Sequence, residues 1–163
     1  MIVIKDSMVL IHLAKLTILE SSCNYFGKIM IPEAVKKEVM AGQVAYPETI
    51  VIKDLIANNK IQIKQVKNKE LLKKVNQFNI QRGEAEVIAL YWQEKAGLIA
   101  TDDDNVRKRR LLLNIKIIGT PSILLKLYKQ KIIDKEKLKK CVNELKKIGW
   151  FHNAVLDKIL MEA

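Results

Sequence analysis

The chain is poor in cysteine, histidine and aromatic residues, and each shortage removes a class of function. Its two cysteines, Cys23 and Cys141, lie far apart and form no CxxC pair. That leaves neither a metal knuckle nor a disulfide framework, and they read as core thiols in a reducing cytoplasm. Neither His12 nor His152 has a second His or Cys at ligand spacing, so both read as structural rather than as zinc ligands. Aromatics are 6% of the chain, too few for repeated base-stacking platforms, and Trp92, Trp150 and Phe151 read as core. No apolar run approaches the roughly 18 residues that a membrane helix needs. The N-terminus has no basic region, apolar stretch and cleavage site of the signal-peptide kind. The expectation is a soluble, cytoplasmic protein without a membrane partner. At 163 residues the simplest organisation is one domain, 1–163, large enough to bury its own core.

Positive charge is abundant. Lys and Arg number 29 against 18 Asp and Glu, a net charge of +11, which favours an anionic partner, nucleic acid being the commonest. Against that background Thr101-Asp102-Asp103-Asp104 stands out. Three adjacent carboxylates repel one another unless solvated or neutralised. They follow Leu98-Ile99-Ala100, an apolar run too short for a helix, which reads as a buried strand. One Asp would suffice to cap the next helix. Open α/β sheets bind ligands just beyond the carboxyl ends of their strands, which is where this cluster falls.

The same junction occurs at the N-terminus. Ile2-Val3-Ile4 is a β-branched run that ends at Asp6, and one helix follows through Leu10, Leu13, Leu16 and Leu19. Asn24 to Gly27 reads as a turn and Lys28 to Ile31 as a strand. Pro32 opens a helix that runs from Glu33 to Met40, stops at Gly42 and carries Glu38 near the edge of its wet face. Further helices are expected from Pro47 and over Asn68 to Phe78, with Ile61 to Val66 a half-exposed strand. Gly83 reads as the end of one element and Glu84 as the first turn of an apolar helix. A helix over Val106 to Leu113 bears Arg107, Lys108 and Arg110. A last strand spans Ile115 to Gly119, a helix follows Thr120-Pro121-Ser122, and a lysine-rich helical extension covers 130–163.

Short strands alternating with helices predict an α/β fold: a three-layer α/β/α sandwich with a mostly parallel central sheet of about five strands. Right-handed crossovers would bring all strand ends to one edge, and with them Asp6, Glu84 and the Asp cluster. Hard oxygen ligands of this kind suit Mg²⁺ or Mn²⁺, and an acidic centre in a basic surround suits hydrolysis of a polyanion.

Four segments in order carry a resemblance: Ile2-Val3-Ile4-Lys5-Asp6-Ser7; Ile31-Pro32-Glu33-Ala34-Val35-Lys36-Lys37-Glu38; Gly83-Glu84-Ala85-Glu86-Val87-Ile88-Ala89-Leu90; and Thr101-Asp102-Asp103 with Ile118-Gly119-Thr120 downstream. Over nearly its whole length the chain resembles PIN domains, in particular prokaryotic PIN-like ribonucleases related to the toxins of toxin–antitoxin pairs. The resemblance implies a metal-dependent endoribonuclease acting on single-stranded or loop RNA, with an acidic quartet of Asp6, Glu38, Glu84 and one of Asp102 or Asp103. It implies that Asp6 and the Asp from the cluster hold Mg²⁺ or Mn²⁺, that Glu84 completes the ligand set or acts through water, and that Glu38 positions or activates the attacking water. Asp104 would support the ligands, and Glu86 would point away. Arg107, Lys108 and Arg110 are the candidate phosphate contacts, and an antitoxin protein and a second copy of the chain are the implied protein partners. The family pattern has a small hydroxyl or amide residue two after the first Asp, where this chain has Met8. A thioether cannot replace that hydrogen bond, so the alternative is a catalytically weak or inactive PIN-like RNA- or protein-binding module. A phospho-acceptor receiver domain would need paired acids after the first strand and a lysine after the last. The chain offers Asp6 and Thr120-Pro121-Ser122 instead.

Overall fold

The structure is a computed structural model in which residues 1–41 and 46–163 are described. The expected helix stop at Gly42 lies outside the described residues. Five strands form one sheet in the order β3-β2-β1-β4-β5, with every pair parallel. They are β1 (Ile2–Lys5), β2 (Lys28–Pro32), β3 (Ile61–Lys64), β4 (Leu98–Ala100) and β5 (Ile117–Ile118). Val3 and Ile4, on opposite faces of β1, are both fully buried, as befits a central parallel strand covered by helices on both sides. Lys5 shares that burial. Its Nζ donates to Ser22 Oγ at 2.6 Å and lies 5.4 Å from the centre of the Phe26 ring.

Among the described residues the connections supply ten helices. α1 (Ser7–Lys15) and α2 (Leu19–Phe26) follow β1; α3 (Glu33–Ala41) and α4 (Pro47–Ala57) follow β2; α5 (Lys69–Asn76) and α6 (Arg82–Gln93) follow β3. α7 (Asp104–Lys108) joins β4 to β5, and α8 (Thr120–Lys129), α9 (Lys135–Ile148) and α10 (Asn153–Glu162) complete the chain. α6 packs on β1, β2 and β4, α2 packs on β2, and α8 joins α1 and α2 to α9 and α10. This is the α/β/α sandwich that the strand–helix alternation predicts.

Several local expectations are corrected, beginning with Pro32, which ends β2 rather than opening α3. The single helix expected after Asp6 is broken at Thr17, whose φ is 59°. Leu16, Ile18 and Leu19 are all buried, and one straight helix cannot turn three such closely spaced residues to the same side. α2 then continues to Phe26, with the turn confined to Gly27 at φ 86°. Gly83 does not end an element but sits in the first turn of α6. The basic helix stops at Lys108, because the chain must bury Leu113 and Ile115 on its way into a β5 shorter than expected, leaving Leu111 and Leu112 83% and 73% exposed.

Candidate active site

Strand order places the site. From β1 the chain moves to β2 and β3 on one side, then crosses to β4 and β5 on the other. The boundary between β1 and β4 is therefore the switch point at which parallel sheets open a crevice. Asp6 follows β1 and Thr101-Asp102-Asp103 follows β4, and the Asp6 amide donates to Ala100 O at 3.0 Å, locking the two strand ends together.

Asp6 is 6% exposed. Its Oδ1 accepts the Val9 amide at 2.8 Å, capping α1, and its Oδ2 accepts the Thr101 hydroxyl. Thr101 Oγ1 in turn accepts the Asp103 amide at 3.1 Å, so one hydroxyl ties the first acid to the second. Burial raises the Asp6 carboxyl from 3.8 to about 7, against the lowering effect of the Thr101 and Val9 bonds, and the charges of Asp102 and Asp103 push it further up. Asp103 caps α7 through Val106 N at 2.8 Å and remains half-buried.

The other two acids arrive from helices. Glu84, in the first turn of α6, is half-buried. Burial raises its carboxyl above the usual range, as do the charges of Asp103 and Glu38, while its own amide lowers it. Glu38, on α3, is exposed and accepts the Ser7 hydroxyl at Oε2. Its Oε1 lies where a Cβ on Gly83 would collide with it, so the missing side chain at Gly83 lets the Glu38 carboxylate reach the start of α6. The fold thus links the four acids in series: Asp6 feels the charge of Asp103, Asp103 that of Glu84, and Glu84 that of Glu38.

Asp102 is engaged differently. Its side chain is fully buried, Oδ1 accepts the Thr120 amide at 2.7 Å, and Oδ2 accepts the Thr120 hydroxyl at 2.5 Å and lies 2.8 Å from His12 Nδ1. These bonds pin β4 to the start of α8 and to α1. Of the two candidates for the fourth acid, the structure therefore leaves Asp103 with its second oxygen available and commits Asp102 to the fold. His12, read as structural, is buried against Asp102, and among the described residues its Nε2 has no partner. Trp150, read as core, is 51% exposed and donates from Nε1 to the Asp102 carbonyl at 3.1 Å. Phe151 is half-buried against His12. Thr101, Thr120 and Gly83 join the site beyond the acids themselves; the sequence marks them only as members of the segments that carry the resemblance.

The donor chemistry fits a hard divalent cation: four carboxylates, two of them held above their ordinary range by burial and by one another. Asp6 and Asp103 each keep lone pairs beyond the bonds described. Among the described residues no three His, Cys, Asp or Glu side chains already converge as a cage. Arg107, Lys108 and Arg110 are all exposed. Arg110 Nη1 donates to the Arg107 carbonyl at 2.8 Å, and a Cβ on Gly119 would stand 3.5 Å from Arg107 Nη2.

A family model described as a PIN domain matches residues 2–163. The chain belongs to the PIN-domain family. No curated protein matches it. PIN domains are in general nucleases that use divalent metal ions, and Asp6 and Asp103 of this chain lie at the switch point of its sheet. No helix among the described residues of this PIN domain is long and apolar enough to cross a membrane.

Proposed function

We propose that this PIN domain is a divalent-metal-dependent endoribonuclease that hydrolyses phosphodiester bonds of single-stranded or loop RNA. What supports the reading is the series of acids that starts at the β1–β4 boundary, Asp6 beside Asp103, Asp103 beside Glu84 and Glu84 beside Glu38, in a protein with net charge +11. Asp6, Asp103 and Glu84 hold the cation. A bound Mg²⁺ or Mn²⁺ supplies stabilisation of the charge that grows on the phosphate and lowers the pKa of water. Glu38, solvent-facing and steadied by Ser7, orients the attacking water and takes its proton. Arg107, Lys108 and Arg110 hold flanking phosphates.

Met8 favours a second reading, the weak or inactive binding module. Against it, Ser7 already supplies a hydroxyl to the network, on Glu38. The buried free thiols of Cys23 and Cys141 fit a reducing cytoplasm. The protein partners in this reading are an antitoxin and a second copy of the chain, for which exposed Leu111 and Leu112 offer apolar surface. Cleavage of single-stranded RNA with Mn²⁺, lost in Asp103→Asn while RNA binding persists, is the expected result. Cleavage that survives both this change and EDTA contradicts the nuclease assignment, and salt-sensitive binding without any cleavage favours the module.

A further inference from the structure

The loop between α9 and α10, Gly149 to His152, forms one wall of a cleft at Asp102 and Asp104. This cleft, of about 320 Å³, is lined by Asp102, Asp104, Arg107, Trp150 and Phe151. Its residues thus include both chain neighbours of Asp103. Trp150 is the feature that needs an explanation. A tryptophan on a protein surface ordinarily buries its ring, yet here half the residue is open to solvent. Its mobility is nevertheless restricted: Nε1 is tied to the Asp102 carbonyl at 3.1 Å, and its ring centre lies 6.0 Å from that of buried His12. An aromatic plane held in place, exposed and next to a cation is the arrangement that binds an unpaired base. Arg107 lines this cleft and also a neighbouring groove of about 530 Å³, which it shares with Arg110 and Lys126. A chain of phosphates can therefore run from the groove into the cleft past one guanidinium.

We propose that the cleft is a nucleotide subsite for single-stranded RNA, with the base of a nucleotide flanking the cleaved bond stacked on Trp150 and its phosphate held by Arg107. This rests on the ribonuclease reading for the identity of the polymer, and it adds to that reading a position outside the acidic quartet. Duplex RNA, whose bases are already stacked on one another, cannot use such a platform.

The test is binding, measured in EDTA so that no cleavage is involved. The probe is a short fluorescein-labelled single-stranded RNA of mixed sequence, followed by anisotropy. Trp150→Ala is expected to weaken binding roughly 5- to 150-fold, the range of one base–aromatic stack. Trp150→Phe keeps a stacking face but loses the bond to Asp102, and is expected to bind within a few fold of wild type. If Phe weakens binding as much as Ala does, the tryptophan merely positions Asp102 and the proposal is overturned. In a Trp92→Phe background Trp150 is the sole tryptophan, and its fluorescence is expected to be quenched by single-stranded RNA and not by duplex. Equal quenching by duplex, or none by either, overturns the subsite. Unchanged RNA binding in Trp150→Ala beside an altered oligomeric state would assign the face to a second copy instead. The two claims fail separately: RNA bound through Trp150 without metal-dependent cleavage sinks the nuclease and keeps the subsite, and cleavage with unaltered binding in Trp150→Ala does the reverse.

Discussion

Thr101 donates its hydroxyl to Asp6 across the boundary between two parallel strands, and in the same position accepts the amide of Asp103. A single small side chain thereby sets the spacing of two like charges that would otherwise separate. The energetic consequence falls on Asp6, which is buried yet must be ionised to hold a cation.

That consequence is measurable as pH dependence of stability without metal. The folded-state pKa of Asp6 is raised from 3.8 to about 7, so between these values the native state binds more protons than the unfolded state. Stability contributed by the protonated acid is full below about 4 and is lost as pH rises to about 7, by at most about 4 kcal/mol. Lys5 acts in another window. Burial lowers it from 10.5 to about 8, so the unfolded state binds more protons there and stability rises from about pH 8 to 10.5. Urea unfolding in EDTA is expected to show both limbs. Asp6→Asn flattens the first and Lys5→Met the second.

Gly83→Ala separates catalysis from stability. Alanine is the better helix former by about 1 kcal/mol, and the colliding atom is the end of a flexible Glu38 side chain, so the melting temperature should hold or rise. Glu38 must move, and cleavage is expected to fall about tenfold or more. Unchanged turnover would remove Glu38 from the catalytic account.

Asp102 and Asp103 should fail in opposite ways. Asp102→Asn puts an amide where the carboxylate serves His12 and Thr120, at a cost of about 2 kcal/mol in stability. Asp103→Asn keeps an equally good helix cap, should unfold like wild type, and should lose metal-dependent thermal stabilisation and cleavage. Calorimetry with and without Mn²⁺ distinguishes them.

The basic residues are expected to act through charge alone. Replacing Arg107, Lys108 or Arg110 by Gln should lower the slope of log K against log salt by about 0.7 for each phosphate contact removed. A variant that leaves the slope unchanged identifies a side chain that is merely solvated.

Much of this arrangement is legible in the sequence. β-branched runs ending at Asp6 and at Thr101 mark strand ends, and parallel topology then puts their acids on one edge. Which neighbour in the Asp run faces the crevice was not legible. Successive residues on extended backbone point in opposite directions, and the choice is made by Thr120 and His12, which come from distant segments and close on Asp102. The exposure of Trp150 was hidden for a similar reason. Apolar composition predicts burial on average, whereas this ring is held at the surface by a bond to the Asp102 carbonyl, two residues beyond β4. The break at Thr17 was concealed because Leu10, Leu13 and Leu16 continue into Leu19 with helical spacing while Ile18 also demands burial.

The most direct measurement is cleavage of a pool of single-stranded and stem-loop RNA with Mn²⁺, with Mg²⁺ and with EDTA, beside Asp6→Asn. The account predicts cleavage with at least one of the two metals, none in EDTA, and none in the variant although it folds. Cleavage that persists in EDTA or in Asp6→Asn would contradict it.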